Sequence, residues 1–227
     1  MLSKEIPNEQ PEKIKEPNLK SESEALLGML NVRSSSLGAP DGHSDRVAAY
    51  ALAIGRRLDL PRKVMTDLKN AAILHDVGKV GISPQIVEKL GRLSEREFEI
   101  MRLHSTIAIR MLERVPELHD SIPMIKHHHE RFDGKGYPDG LSGHDIPLGA
   151  RIIAVAESFD ILVSDVPWRD ALPLQVAIEE LKNCSGTQFD PMVVEAFLEA
   201  LASGEVPLSD ELKEQMMQPS PERILDS

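Results

Sequence analysis

Residues 43–58, HSDRVAAYALAIGRRL, put His43, Val47, Tyr50, Ala51, Ile54 and Leu58 at three- and four-residue intervals, on one face of an α-helix. The same interval recurs downstream. After Pro61, which suits the start of a helix, come Val64, Leu68, Ala71, Ala72 and His75, and Met101, His104, Ala108, Met111 and Val115 form a third stripe. The period predicts further helices from Ser121 to about Arg131, from about Ala150 through Ile153, Ala156, Glu157 and Asp160, and over 173–183 and 191–202. Strand-like alternation is nearly absent, and an aromatic content of 4% speaks against a β-sandwich. The expected class is all-α, a compact helical bundle.

At 227 residues, with 41% hydrophobic and 28% charged, the chain has the composition of a globular domain that buries a core. Residues 1–35 read as a flexible leader with a short helical segment at Glu24–Val32, 36–203 as the main domain, and 204–227 as a polar tail. No apolar run approaches the roughly 20 residues that span a bilayer, and the first residues lack a signal-peptide core, so a cytoplasmic location without membrane insertion is expected. The single Cys184 permits no intrachain disulfide and no cysteine-based metal cluster. A net charge of −11 argues against general nucleic-acid binding, although a small anion remains compatible where cations gather in a cleft.

His43, His75 and His104 stand in line with the apolar residues that face the core. One inward histidine is usually a satisfied core residue. Here Asp76 follows His75, His128 and His129 close a helical stretch, and Glu157 and Asp160 lie on the buried face of a further helix. Burying so many ionisable groups is costly unless they are paired or bind metal. Imidazole and carboxylate donors without thiolates fit iron, manganese or zinc. The donors exceed what one ion uses, so two divalent transition-metal ions are expected, with Asp76 as the bridging carboxylate.

Leu74-His75-Asp76-Val77-Gly78-Lys79 resembles the HD-x-GK signature of HD-superfamily phosphohydrolases. His128 to Leu141, HHERFDGKGYPDGL, resembles the longer and more specific signature of the HD-GYP branch. The flanks agree over His43–Val47, Lys89–Ser94, His104 and Ala150–Glu157, so the resemblance covers about residues 40–202. It implies the helical bundle of the HD superfamily and metal ligands at His43, His75, Asp76, His104, His128 and His129, with Glu157 in the last slot. Iron or manganese is the implied metal. It also implies that Lys79 reaches a substrate phosphate, that Asp76 and Lys79 are the catalytic pair, and that Tyr137 and Arg169 lie against substrate. The implied activity is metal-dependent hydrolysis of cyclic di-GMP to pGpG, continuing to GMP in some enzymes of the branch.

Three positions depart from the family pattern. Glu157 stands where an aspartate is usual, Ala39 where some members place an acidic ligand for a third ion, and Val166 in place of an arginine in the run Asp165-Val166-Pro167-Trp168-Arg169. A fourth, Ala108 for glycine, is a small change. These departures keep two further readings open: a degenerate cyclic di-GMP receptor, and a hydrolase of another cyclic dinucleotide or nucleotide. Regulation is expected through a protein partner, a homodimer or ligand supply.

Overall fold

A computed structural model of the chain describes residues 42–166 and 169–217. The expected Glu24–Val32 helix, Ala39, Pro167, Trp168 and the last ten positions lie outside the described residues. In chain order the helices are α1 (His43–Arg57), α2 (Arg62–Leu74), α3 (Pro84–Val87), α4 (Glu95–Arg102), α5 (His104–Leu112), α6 (Ile122–Lys126), α7 (Leu148–Leu162), α8 (Leu174–Asn183), α9 (Pro191–Ala202) and α10 (Asp210–Met217). Short 3-10 turns at Val77–Gly81, Pro116–Leu118 and Gly143–Asp145 lie between them. Among the described residues there is no strand, only the isolated bridges Val166 with Arg169 and Ser185 with Phe189.

The stripes face inward as their period requires. Val47, Tyr50, Ala51 and Ile54 of α1 and Leu68, Ala71 and Ala72 of α2 are buried. Helix α1 packs on α2, α7 and α9. Tyr50, Phe159 and Phe197 carry that contact as a chain of rings, with centroids 5.3 Å apart for the first pair and 4.7 Å for the second. Burying a large aromatic side chain contributes roughly 1.5–3 kcal/mol, so these three rings anchor the bundle beneath the histidines.

The helix ends differ from the sequence expectation in two places. The stripe from Met101 to Val115 is not one helix: α4 stops at Arg102, α5 starts at His104, and Leu103 between them is exposed. The break falls where the Met101 carbonyl receives the His104 ring N–H at 2.7 Å. Likewise the helix expected to reach Arg131 ends at Lys126, and His128 donates Nδ1–H to the Ile125 carbonyl at 2.7 Å, just past that end. The segment from 204 is also more than a polar tail. Val206, Leu208 and Leu212 are buried in the core and α10 forms there, with Gln215 Oε1 accepting from the Leu174 N–H at 2.7 Å.

Candidate metal centre

Five segments deliver the candidate residues: the start of α1 (His43), the end of α2 (His75, Asp76), the start of α5 (His104), the turn after α6 (His128, His129) and the middle of α7 (Glu157). Their donor atoms form two groups. Asp76, His104, His128 and His129 offer ligand atoms within 4.8 Å of one another, and so do His43, His75, Asp76 and Glu157. Asp76 belongs to both. Its Oδ1 lies 3.8 Å from His104 Nε2 in one group, and its Oδ2 lies 3.5 Å from His75 Nε2 in the other. Glu157 Oε1 stands 4.0 Å from His75 Nε2.

Four of the five rings are aimed by their other nitrogen. His75, His104 and His128 donate Nδ1–H to the carbonyls three residues back, Ala72, Met101 and Ile125, at 2.8, 2.7 and 2.7 Å. Their Nε2 atoms are therefore the acceptors, without a partner in His75 and His128 and beside the Ser105 hydroxyl at 3.3 Å in His104. His43 is held differently, by Asp160 Oδ2 at 2.7 Å, and Arg46 grips the same carboxylate at 2.6 Å. Asp160, on the buried face as the sequence suggested, thus orients a candidate ligand, in the manner of an outer-shell carboxylate.

The electrostatics agree with this division. Burial draws His75 down to about 4 despite the attraction of Asp76. It also lowers His104, His128 and His129, with the neighbouring rings adding to the effect on His128 and His129. Neutral imidazoles are the form that binds metal. Burial, helped by Asp76, pushes Glu157 up to about 7. Burial acts on Asp76 in the same direction, but the Lys79 ammonium and the surrounding imidazoles outweigh it and keep that carboxyl well below the usual range. Lys79 Nζ lies 2.5 Å from Asp76 Oδ2.

A divalent metal fits these residues. The buried atoms His75 Nε2, His128 Nε2 and Asp76 Oδ1 have no hydrogen-bond partner, and orphaned buried acceptors of this kind are rare without a ligand to take. The donor set is nitrogen and oxygen throughout, which suits first-row ions. Cys184, half-buried beside Glu180, is no part of it.

A cleft of about 370 Å³ opens beside the cluster, bounded by Phe98, Arg102, His129, Tyr137 and Glu157 among others. Tyr137 lies in it, its ring centroid 4.9 Å from that of His129. Arg169 does not. Its guanidinium donates to the carbonyls of Ile161 at 2.6 Å, Leu162 at 3.2 Å and Asp170 at 2.5 Å, and it borders a different cleft with Lys89 and Arg92. Val166 is buried and pairs its backbone with Arg169. The loop after α7 therefore caps that helix, and Arg169 lies outside the cleft that holds Tyr137.

Two glycines hold the signatures against the bundle. A Cβ on Gly78 would stand 1.9 Å from the His104 carbonyl oxygen, and one on Gly136 would stand 2.3 Å from the Arg131 nitrogen. In both cases backbone rests on backbone. Glu130, quoted in the sequence motif but given no role there, is buried, and its Oε1 accepts from the N–H groups of Asp139 and Gly140 at 2.7 and 3.0 Å. It ties the Tyr137 loop to the histidine turn. Glu130→Ala leaves two donors without their acceptor, so stability is expected to fall by about 2 kcal/mol, with faster amide exchange confined first to residues 136–140. Exchange mass spectrometry checks this, and unchanged protection of that loop contradicts it.

An all-helical bundle with a buried histidine and carboxylate cluster defines a class of metal-binding folds, and comparison with known proteins narrows it. A sequence profile described as HD domain matches residues 28–193. The chain is 42% identical over 158 residues to a protein of Thermotoga maritima named cyclic di-GMP phosphodiesterase, covering 69% of this chain and 43% of that protein. It is 37% identical over 160 residues to 3'3'-cGAMP-specific phosphodiesterase 3 of Vibrio cholerae, covering 70% and 35%. The fold matches Bd1817, an HDG"Y"P protein from Bdellovibrio bacteriovorus, with a TM-score of 0.60 at 19% identity, over 74% of this chain and 53% of that one. The chain belongs to the HD-domain family. It spans less than half the length of the two curated relatives. Among the described residues no helix is long and apolar enough to cross a membrane.

Proposed function

We propose that this chain is a metal-dependent phosphodiesterase of cyclic di-GMP, with His43, His75, Asp76 and Glu157 holding one ion and Asp76, His104, His128 and His129 holding a second. The observation that carries this reading is the sharing of Asp76 between two donor groups, each with its own histidines. The names of the Thermotoga and Vibrio relatives support the reaction class. Iron or manganese is the proposed metal, as the resemblance to the HD-GYP branch implies, and the nitrogen and oxygen donor set accommodates either. Bound ions of this kind supply Lewis acidity toward a phosphate and acidify water near neutral pH.

The chain's own groups do the rest. Asp160 and the carbonyls of Ala72, Met101 and Ile125 fix the rings. Lys79, 19% exposed at its side chain and seated on Asp76, offers an ammonium to a non-bridging phosphate oxygen, and Tyr137 walls the cleft. Glu157, one methylene longer than the usual aspartate, reaches His75 from mid-α7. The protein is taken to act in the cytoplasm, under a protein partner or a second copy.

Lys79→Ala is expected to keep both ions, because it removes a competitor for Asp76, while turnover falls about 10²–10³-fold. Elemental analysis with steady-state kinetics on cyclic di-GMP tests this; loss of metal together with activity would give Lys79 a structural role instead. The relative named as cGAMP-specific supports a second reading, hydrolysis of another cyclic dinucleotide. A panel of cyclic dinucleotides separates the two. Binding of cyclic di-GMP without turnover by the metal-loaded protein would make it a receptor.

A further inference from the structure

The mouth of the cleft holds groups that the metal cluster does not use. Phe98 and Arg102 sit one turn apart on α4. Phe98 is 46% exposed, and its ring meets Tyr137 edge-on with centroids 6.1 Å apart. The Arg102 guanidinium carbon lies 4.6 Å from the Tyr137 centroid and 5.6 Å from that of Phe98. Tyr137 in turn touches the His129 ring, so this platform stands one ring away from a candidate metal ligand.

Of the other cations of the cleft, Arg131 is engaged and Lys135 is turned away to solvent. Arg131 donates to both oxygens of Asp133 at 3.0 and 2.8 Å and to Gln188 at 3.0 Å. Lys135 points to solvent, 80% exposed and 4.0 Å from Asp133. Among the described residues Arg102 has ring contacts but no carboxylate or hydrogen-bond partner. Aromatic rings hold the face of its guanidinium, and its N–H edge remains available for a planar pair of acceptors.

Phosphate is one such partner, but metals and Lys79 already serve phosphate in the proposed site, one ring further in. A nucleobase matches more of the local chemistry. The exposed Phe98 ring suits the π-face of a base. Guanine presents O6 and N7, two acceptors that a guanidinium takes together, whereas adenine puts an N6 donor in place of one of them.

We propose that Arg102, held by Phe98 and Tyr137, reads the O6 and N7 edge of a guanine in the substrate and makes the site prefer guanine to adenine. This rests on the phosphodiesterase reading. The test uses the metal-loaded full chain and the variants Arg102→Gln and Arg102→Lys. The kcat/KM values for cyclic di-GMP and cyclic di-AMP are measured relative to bis(p-nitrophenyl) phosphate, a diester with no base, and equilibrium binding of GMP and AMP is measured alongside.

Arg102→Gln is expected to lose the preference for guanine by roughly ten-fold or more, chiefly through KM, because the base contact exists before the transition state, whereas Arg102→Lys, whose ammonium still donates to O6 and N7, keeps part of it. The glutamine variant is decisive. If it keeps the preference, or if guanine and adenine nucleotides weaken equally in both variants, Arg102 does not read the base and the inference is overturned. If the wild-type protein hydrolyses no cyclic dinucleotide, the proposed function fails. The GMP-to-AMP binding ratio then still decides the role of Arg102.

Discussion

Asp76→Ala is expected to reduce bound metal from about two ions per chain to close to none and turnover to below about one-thousandth of wild type. Its two oxygens face different histidines, and both donor groups include it. His43→Ala and His129→Ala each touch only one group and are expected to leave about one ion per chain. His119, exposed and with its ring bonded to the Glu113 carbonyl, is the control whose loss changes neither quantity. Elemental analysis of folded variants, verified by circular dichroism, reads the result. Equal metal loss in His43→Ala and Asp76→Ala would mean that the two groups do not fill independently, and full retention in Asp76→Ala would remove the shared carboxylate from the mechanism.

The second large effect is expected at Gly78. An added methyl there collides with the His104 carbonyl at 1.9 Å and with the Ala108 nitrogen at 2.7 Å, both main-chain atoms that no rotamer change can move. The 3-10 turn bearing Lys79 must then separate from α5, whose first residue is His104. Overpacking of this kind is worth about 3 kcal/mol, which lowers Tm by roughly 6–12 °C in a domain of this size. Metal affinity falls with it, since Asp76 and His104 lie on the two parts pushed apart. Differential scanning calorimetry of Gly78→Ala tests the claim. Gly91→Ala is a useful comparison because nothing lies within 4 Å of the added carbon, and its strain is limited to a φ of +112°. A Tm drop in Gly78→Ala no larger than in Gly91→Ala would show that the backbone contact is slack.

The inward placement of His43, His75 and His104 was legible from helical period alone, because a ligand on the core face obeys the same spacing as a leucine. Where the helices stop was less legible. The breaks before His104 and His128 accompany side-chain bonds to carbonyls three residues back, and a histidine's choice between solvent, metal and its own backbone leaves no mark in hydrophobic pattern. The placement of Arg169 was not legible either, because its acceptors are main-chain oxygens, which every residue carries. Arg46 and Asp160 lie 114 positions apart, and only the packing of α1 on α7 brings them together. Val206, Leu208 and Leu212 were too few and too irregularly spaced to announce a core contribution. Phe98 and Arg102 stand four apart, a spacing that brings them to one face only once the segment Glu95–Arg102 is known to be helical.

The three rings tied to the carbonyls of Ala72, Met101 and Ile125 have a thermodynamic consequence. A ring clamped within its own four-residue turn gives up its rotamer freedom when the chain folds, so little ordering entropy is left to lose when an ion arrives. Loading is then separable from folding. Small zinc modules, by contrast, draw their fold from the metal. Chelation is expected to disarm this protein while leaving its helical bundle standing, so that activity tracks the supply of free metal on the timescale of ligand exchange and needs no new synthesis.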